Sequence, residues 1–429
     1  MFDLIIVEIG STTTLINVLN LNPIEFIGQG VHPTTVEDVT IGVNGALDDF
    51  KDKFNLSEVK YKEMFATSSA AGGLRMTVHG LVYDMTVKAS KEAALGAGAN
   101  IHLVTAGKLK RFDLEKIKTI NPNIIFLAGG VDYGERDTAI YNAELINSLE
   151  LDVPIIYAGN VENTEEIKFI LDNVTCVENV YPEIDNLNVE PSRKVIHKVF
   201  EDNIIHAKGM ENIKKLVTDN IIPTPGAVME SAKLLASEIG DLVVIDVGGA
   251  TTDIHSVTSY IKDTVLNPEP DAKRTVEGDL GVYVNKDNLV ELTDLTDILN
   301  LEELLENYTP IPKTLNQENL VSRLTETAVK ESLERHAGEY KEFYTGTGIK
   351  KFIVGKDLTE VEYIILTGGA LTNLNGKDIV RKVLSENSKK LLPLNAKILV
   401  DSKYIMASTG VLSKKYPEIA LELMKGSLK

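Results

Sequence analysis

Three times along the chain an apolar run ends in a turn rich in glycine and hydroxyl residues. Leu4-Ile5-Ile6-Val7 leads through Glu8 and Ile9 to Gly10-Ser11-Thr12-Thr13-Thr14, and a second apolar run follows to Val18. Val243-Val244-Ile245 leads through Asp246 and Val247 to Gly248-Gly249-Ala250-Thr251-Thr252-Asp253. Tyr363-Ile364-Ile365-Leu366-Thr367 ends on Gly368-Gly369-Ala370-Leu371. The first two read as strand–turn–strand hairpins, the third as a strand entering a helix. Between about residues 80 and 185 the rhythm changes. Short apolar strands at 124–128 and 153–158 alternate with amphipathic stretches such as 163–171, the pattern of βαβ units. Farther on, Thr224 as N-cap, Pro225 at the first helical position, Val228, Ala232, Leu235 and Ile239 on one face, and Gly240 as the stop predict a helix just before the second hairpin. Small residues in Met406-Ala407-Ser408-Thr409-Gly410 suit a second helix that crosses the first closely.

Each turn has a chemistry. A carboxylate at a strand end holds Mg²⁺ or a water, and glycine lets backbone N–H groups close on anionic oxygens without a Cβ in the way. The candidates for metal and catalysis are therefore Glu8 and Asp246. Gly10, Ser11, Thr12 and Thr13 on one loop, with Gly248, Gly249, Ala250, Thr251 and Thr252 on the other, are candidates for clamping one polyphosphate from two sides. A glycine hairpin between buried strands is the plain alternative for either loop alone; the repetition favours binding. Gly368, Gly369 and Ala370 would let a flat nucleoside lie against backbone. The cofactors expected are ATP and Mg²⁺.

Composition narrows the partners. A chain of 429 residues, 43% of them hydrophobic, is long enough for two to three domains. The net charge of −19 argues against nucleic acid, whose phosphates require basic density. One cysteine, Cys176, rules out an internal disulfide and speaks against a thiolate cluster, and the seven histidines have no ligand spacing. No stretch approaches the ~20 apolar residues of a membrane span, and the first residues lack a basic, cleavable leader pattern, so a cytoplasmic location is expected.

The three motifs, in this order, resemble the phosphate-1, phosphate-2 and adenosine motifs of the sugar kinase, heat-shock ATPase and actin superfamily. That resemblance implies an α/β fold: a two-lobed actin-like ATPase of duplicated ribonuclease H-like domains, with a Rossmann-like α/β insertion. The division it implies is 1–80 for the first part of lobe I, 81–185 for the insertion, 186–240 for the end of lobe I, 241–400 for lobe II and 401–429 for a C-terminal connecting helix. Gly129-Gly130 precedes phosphate-2, so motif order excludes it as the adenosine motif; it reads as a tight βα turn, with a second ligand or partner contact left open.

Further strings are similar to the glutamate mutase accessory family, sometimes labelled MutL and unrelated to mismatch repair. They are Ala66-Thr67-Ser68-Ser69-Ala70-Ala71-Gly72-Gly73-Leu74, Pro223-Thr224-Pro225, Gly248-Gly249-Ala250-Thr251-Thr252-Asp253-Ile254-His255-Ser256, Lys273-Arg274-Thr275-Val276-Glu277-Gly278-Asp279-Leu280-Gly281 and Glu334-Arg335-His336-Ala337-Gly338. The resemblance implies an ATP-driven reactivating chaperone for adenosylcobalamin-dependent mutase subunits, with homo-oligomerisation left open. Two departures bear on chemistry. Glu8 stands where the superfamily usually has Asp, and where heat-shock ATPases carry a glutamate this chain offers Thr224, with no acid before Glu230. Glu277 or Asp279 is then the candidate substitute base, against the alternative of a solvated loop acid; Arg274, Arg335 and His336 are candidates for nucleotide contact or cleft closure, against surface ion pairing. A small-molecule kinase and an actin-like scaffold remain as rival readings. A dehydratase activator needs two cysteines per subunit for its iron–sulfur cluster, which one cysteine cannot supply.

Overall fold

The computed structural model describes the chain except residues 36, 70–74, 98, 185, 205–207, 260–264, 267–268, 310 and 346–347. The stretch 70–74 of the string beginning at Ala66 thus lies outside the described residues.

Two of its sheets repeat one plan. In the first, β1 (Phe2–Ile9), β2 (Thr13–Leu21) and β3 (Ile24–Pro33) form an antiparallel meander, and β4 (Tyr61–Ser68) and β10 (Ile222–Pro223) extend it parallel to β1. In the second, β11 (Leu242–Val247), β12 (Thr252–Val257) and β14 (Ala272–Glu277) form the meander, and β17 (Tyr363–Thr367) and β18 (Lys397–Val400) continue it parallel to β11. The strand orders, β3-β2-β1-β4-β10 and β14-β12-β11-β17-β18, correspond strand for strand. This is the duplicated ribonuclease H-like arrangement of a two-lobed actin-like ATPase.

A third sheet, all parallel in the order β6-β5-β7-β8-β9, is doubly wound. It comprises β5 (Arg75–Gly80), β6 (Asn100–Ala106), β7 (Ile124–Leu127), β8 (Ile155–Tyr157) and β9 (Val174–Cys176). It opens at Arg75, upstream of the residue 81 expected above, because β5 pairs with β6 and β7 and not with lobe I. Helices α3 (Arg111–Ile120), α4 (Asp137–Asn147) and α5 (Thr164–Ile170) cover one face, while α2 (Lys88–Gly96) and α6 (Glu190–Ile204) lie on the other and share a core with lobe I. Helices α1 (Val39–Phe54) and α7 (Met210–Leu216) complete that side.

Lobe II carries α9 (Lys286–Leu292), α10 (Leu301–Glu306), α11 (Leu315–His336), α12 (Gly369–Asn373) and α13 (Gly376–Ser385) on one face of its sheet. A small sheet of β13 (Val265–Leu266), β15 (Glu339–Thr345) and β16 (Gly348–Val354) projects beside it. The unbroken apolar runs of β1 and β11 follow from burial on both faces. Leu4 and Ile6 face a core between the lobes while Ile5, Val7 and Ile9 face the core of lobe I, each side chain contributing ~1.5–3 kcal/mol.

That inter-lobe core holds α8 (Thr224–Ile239), α14 (Met406–Leu412) and α15 (Pro417–Ser427). The two connecting helices cross where Gly410 rests on the Ala227 carbonyl with no room for a Cβ, and Ser231 donates to the Met406 carbonyl at 2.6 Å. Thr224 is the first helical residue and Pro223 the N-cap, a one-place shift from the expectation; the Thr224 hydroxyl donates to Thr67 of β4 instead of to its own helix. Among the described residues no helix is long and apolar enough to cross a membrane.

Candidate functional site

The two hairpins are built alike, down to one bond. The Gly10 amide donates to the Thr13 carbonyl at 3.0 Å, and the Gly248 amide to the Thr251 carbonyl at 2.9 Å. Glu8 and Asp246 therefore occupy equivalent places two residues before each turn. The loops also meet: a Cβ on Gly249 would stand 2.8 Å from Oγ1 of Thr12, so only glycine lets the phosphate-2 loop approach the phosphate-1 loop this closely.

Neighbouring chain holds the loop carbonyls turned away. In lobe II the carbonyls of Gly248, Gly249 and Ala250 accept from Val282 N at 3.2 Å, Tyr283 N at 2.8 Å and Asn285 Nδ2 at 2.8 Å, and Thr252 Oγ1 donates to the Leu280 carbonyl. In lobe I the carbonyls of Gly10 and Thr12 accept from the hydroxyl and amide of Thr34. Among the described residues the amides of Ser11, Thr12, Gly249, Ala250 and Thr251 make no hydrogen bond, so the loops present donors. That asymmetry suits an anion.

The acids converge behind the loops. Glu8 is 4% exposed and accepts from Ser408 Oγ at 2.5 Å and Asn17 Nδ2 at 3.3 Å. Burial, with the Asp401 carboxylate nearby, pushes its pKa up to about 7 despite those bonds. Asp246 is also raised to about 7, by burial and then by repulsion from Asp253 and Glu8, with Arg274 opposing. Asp246 thus has Glu8 and Asp253 as anionic neighbours, and the carboxylates of Glu8 and Asp246 are hard-oxygen donors of the kind Mg²⁺ takes, although among the described residues no group of three or more His, Cys, Asp or Glu side chains is placed to hold a metal ion.

Sequence reasoning missed three neighbours. Asp401, fully buried just after β18, caps α14 by accepting from the amides of Ile405 and Met406 at 2.8 Å each. An apolar run ending in an acid is the signal used at Glu8 and Asp246, and residues 397–401 show it too. Ser408 reaches Glu8 from α14, 400 positions away in sequence. Tyr404 adopts a left-handed backbone, φ 50°, unusual for an aromatic residue, and burial together with Asp246, Glu8 and Asp401 holds its phenol well above the ordinary range.

Gly368 and Gly369 divide the work expected of both. Gly368, at φ 85°, lies so close to β11 that a Cβ would meet Asp246 Oδ1 and the Val247 carbonyl at 2.5 Å each. That close approach at positive φ requires glycine whether or not a nucleoside lies against it, and the nucleoside contact stays a proposal. Gly369 has open space where a Cβ would go and starts α12, followed by Ala370, which packs in part against the lobe II core.

Five other candidates are bonded to one another or to their neighbours. Glu277 and Asp279 both accept from Arg335 at 2.8 Å; burial nevertheless holds the Glu277 carboxyl above its ordinary range, and its role as a base stays a proposal. His336 is buried between Thr275 at 2.9 Å and Ser256 at 2.8 Å. Arg274 is no surface pair: at 1% exposure it grips Asp253 Oδ1 with Nε at 2.8 Å and a terminal nitrogen at 2.5 Å. Gly129 and Gly130 are buried near the start of the loop between β7 and α4, whose residues 133–136 are exposed; the Gly130 carbonyl accepts from Asn179 at 3.0 Å.

A family model described as MutL protein matches residues 4–428. Protein MutL of Clostridium tetanomorphum is 33% identical across 98% of this chain and 98% of its own. Among solved structures, a nucleotide-free acetone carboxylase aligns with 96% of this chain and 70% of its own at 10% identity and a TM-score of 0.42. A glycerol dehydratase reactivase aligns with 96% and 99% at 9% identity and a TM-score of 0.34. Scores this low carry no functional weight.

Proposed function

We propose that this chain, which belongs to the MutL protein family, is the ATP-dependent accessory protein that reactivates an adenosylcobalamin-dependent mutase of the glutamate mutase or ornithine/lysine aminomutase type. The observation that carries the ATP reading is the meeting of two equivalent hairpins, Thr12 against Gly249, over the paired acids Glu8 and Asp246. In this reading the free amides of both loops, that of Thr251 among them, and the hydroxyls of Ser11, Thr12 and Thr13 bind phosphate oxygens, with Gly10 and Gly248 shaping the turns and Thr252 anchoring the second. Glu8 and Asp246 hold Mg²⁺, which offsets the charge on the phosphates. Gly369 and Ala370 receive the nucleoside.

Turnover in this site moves one lobe against the other about the α8–α14 crossing. A ligand shifts an equilibrium only by its differential affinity for the two states, so ATP must favour one lobe arrangement and the inactivated mutase the same or the opposite one. The proposal also carries a cytoplasmic location and mutase subunits as partners.

The test inactivates a candidate mutase by turnover or with cyanocobalamin. It then adds this protein, Mg-ATP and fresh adenosylcobalamin, with Asp246→Ala as control. Recovery that needs both the intact protein and hydrolysable ATP is expected. Equal recovery without the protein, across the mutases of the host, defeats the reading and makes a small-molecule kinase the next to test.

A further inference from the structure

Arg274 does more than neutralise Asp253. Its second terminal nitrogen donates to the carbonyl of Leu95, 2.9 Å away, in the last turn of α2. The residue thus holds two groups at once: the carboxylate that follows the phosphate-2 turn, and the end of a helix belonging to the inserted domain. Asp253 in turn accepts from Thr251 Oγ1 at 2.9 Å, so the grip extends into the phosphate-binding loop itself. A guanidinium at a helix C-terminus also complements the partial negative charge of its free carbonyls.

Two further contacts fix α2 to the same strand. Arg193 of α6, 4% exposed, donates from one nitrogen to the Glu92 carbonyl of α2 at 3.2 Å and to the Ala272 carbonyl of β14 at 3.1 Å. It lies across Gly96, whose missing side chain gives the guanidinium its room. Lys88, at the start of α2, pairs at 3.3 Å with Glu269, which also pairs with Lys273 of β14 at 2.6 Å. All these partners are buried or nearly so, and buried charged contacts of this kind are rigid because each unpaired member is costly. The segment just before α2 reaches the surface, where Val82 and Tyr83 are exposed, while α2 itself is buried along most of its length.

We infer that Arg274 is a positioning residue that couples the phosphate-2 loop to α2, so that the nucleotide bound between the hairpins and the placement of the inserted domain each depend on the other. Reciprocity follows from linkage: if nucleotide alters α2, whatever moves α2 alters nucleotide affinity by the same factor. The inference rests on the ATP reading and adds to it the route out of the site. A lysine in place of Arg274 keeps the charge, and with it Asp253, but cannot fork to reach Leu95 as well.

The experiment measures hydrogen exchange of residues 88–96 in the full chain without nucleotide, with Mg-ADP and with Mg-ATP, beside calorimetry of nucleotide binding. In the wild type, exchange in α2 should differ between states by roughly fivefold or more, the lower end of a 1–3 kcal/mol coupling. Arg274→Lys should still bind nucleotide while α2 no longer responds. Gly96→Ala, which displaces Arg193 and leaves the nucleotide loops untouched, should weaken the response and keep nucleotide affinity. Since Arg274→Lys could fail to fold, Gly96→Ala keeps the claim open to refutation. An α2 response that persists unchanged in both variants, or nucleotide binding to the wild type with no α2 response, overturns this inference alone. Absence of nucleotide binding by the wild type defeats the ATP reading, and the inference with it.

Discussion

The hairpins of lobe I and lobe II share strand order, turn bond and an acid in the same place, yet their acids are held differently. Glu8 is met by Ser408 and Asn17, hydrogen-bond donors that steady the carboxylate whether or not a cation is present. Asp246 is met by Asp253 and Glu8, which repel it, and by Arg274, which spends its bonds on Asp253. One acid is anchored by the scaffold; the other accepts no hydrogen bond among the described residues and, in the proposed reading, waits for a ligand. The extra methylene of glutamate is what lets position 8 reach across to α14, so the departure from the superfamily's usual Asp reads as a device for tying phosphate-1 to a connecting helix.

The comparison breaks if the two acids prove equivalent. Asp246→Ala should lower ATP turnover by roughly 10²–10³-fold, as loss of a charge-placing group in a closed site does, while Glu8→Gln, which keeps the amide bonded to Ser408, should cost about tenfold or less. Steady-state ADP release measures both, and equal losses would sink the distinction.

A glycine pair sharpens it on the nucleoside side. Gly368→Ala forces a Cβ against Asp246 and Val247 at positive φ and should cost about 2–4 kcal/mol of stability. Gly369→Ala should cost under about 1 kcal/mol, because its site is open. Any loss of ATP affinity in the second variant is then a binding effect. Chemical denaturation with calorimetry separates the two, and a stable Gly368→Ala protein would contradict the packing described.

The pH dependence follows from Glu8. Its folded pKa, about 7, lies above the ordinary 4.5, so folding takes up a proton in that interval. The associated stability is present below about pH 4.5 and is lost as pH rises through 7, at most about 3 kcal/mol. Nucleotide-free wild type should therefore fall in thermal midpoint between pH 5 and 8 more steeply than Glu8→Gln, and Mg-ATP should shrink the difference. Parallel curves for the two proteins would show that Glu8 stays ionised throughout.

Much of this site was readable in the chain because its parts are local. A strand, an acid and a glycine turn lie within about ten residues, so Glu8, Asp246 and both phosphate loops stand out by pattern alone. What was hidden depends on residues far apart. Ser408 and Arg274 gain their meaning from partners that no spacing reveals: pattern left Arg274 between nucleotide contact or cleft closure and a surface ion pair, and its burial is a property of the fold. Gly368 shows the limit of pattern from another side: a glycine at a strand end signals close approach, but not that β11 is what approaches. Tyr404 left no signal, since nothing in Lys403-Tyr404-Ile405 marks a left-handed backbone.

Glu277 gives the smallest effect and the finest test of the contrast between held and waiting acids. Fixed by Arg335 at 2.8 Å and beside Asp279, it resembles Glu8 in being anchored, although it lies in lobe II. If it serves structure only, Glu277→Gln leaves Arg335 its bond to Asp279 and one to the new amide oxygen. Turnover should then stay within about threefold of wild type and stability within about 1 kcal/mol, the usual size for a partly exposed ion pair. A base would behave otherwise: the glutamine cannot take a proton, and turnover would fall by roughly 10²-fold or more with nucleotide affinity unchanged. Single-turnover hydrolysis beside nucleotide titration tells these apart, and a collapse of the chemical step alone would return Glu277 to the catalytic role that its loop first suggested.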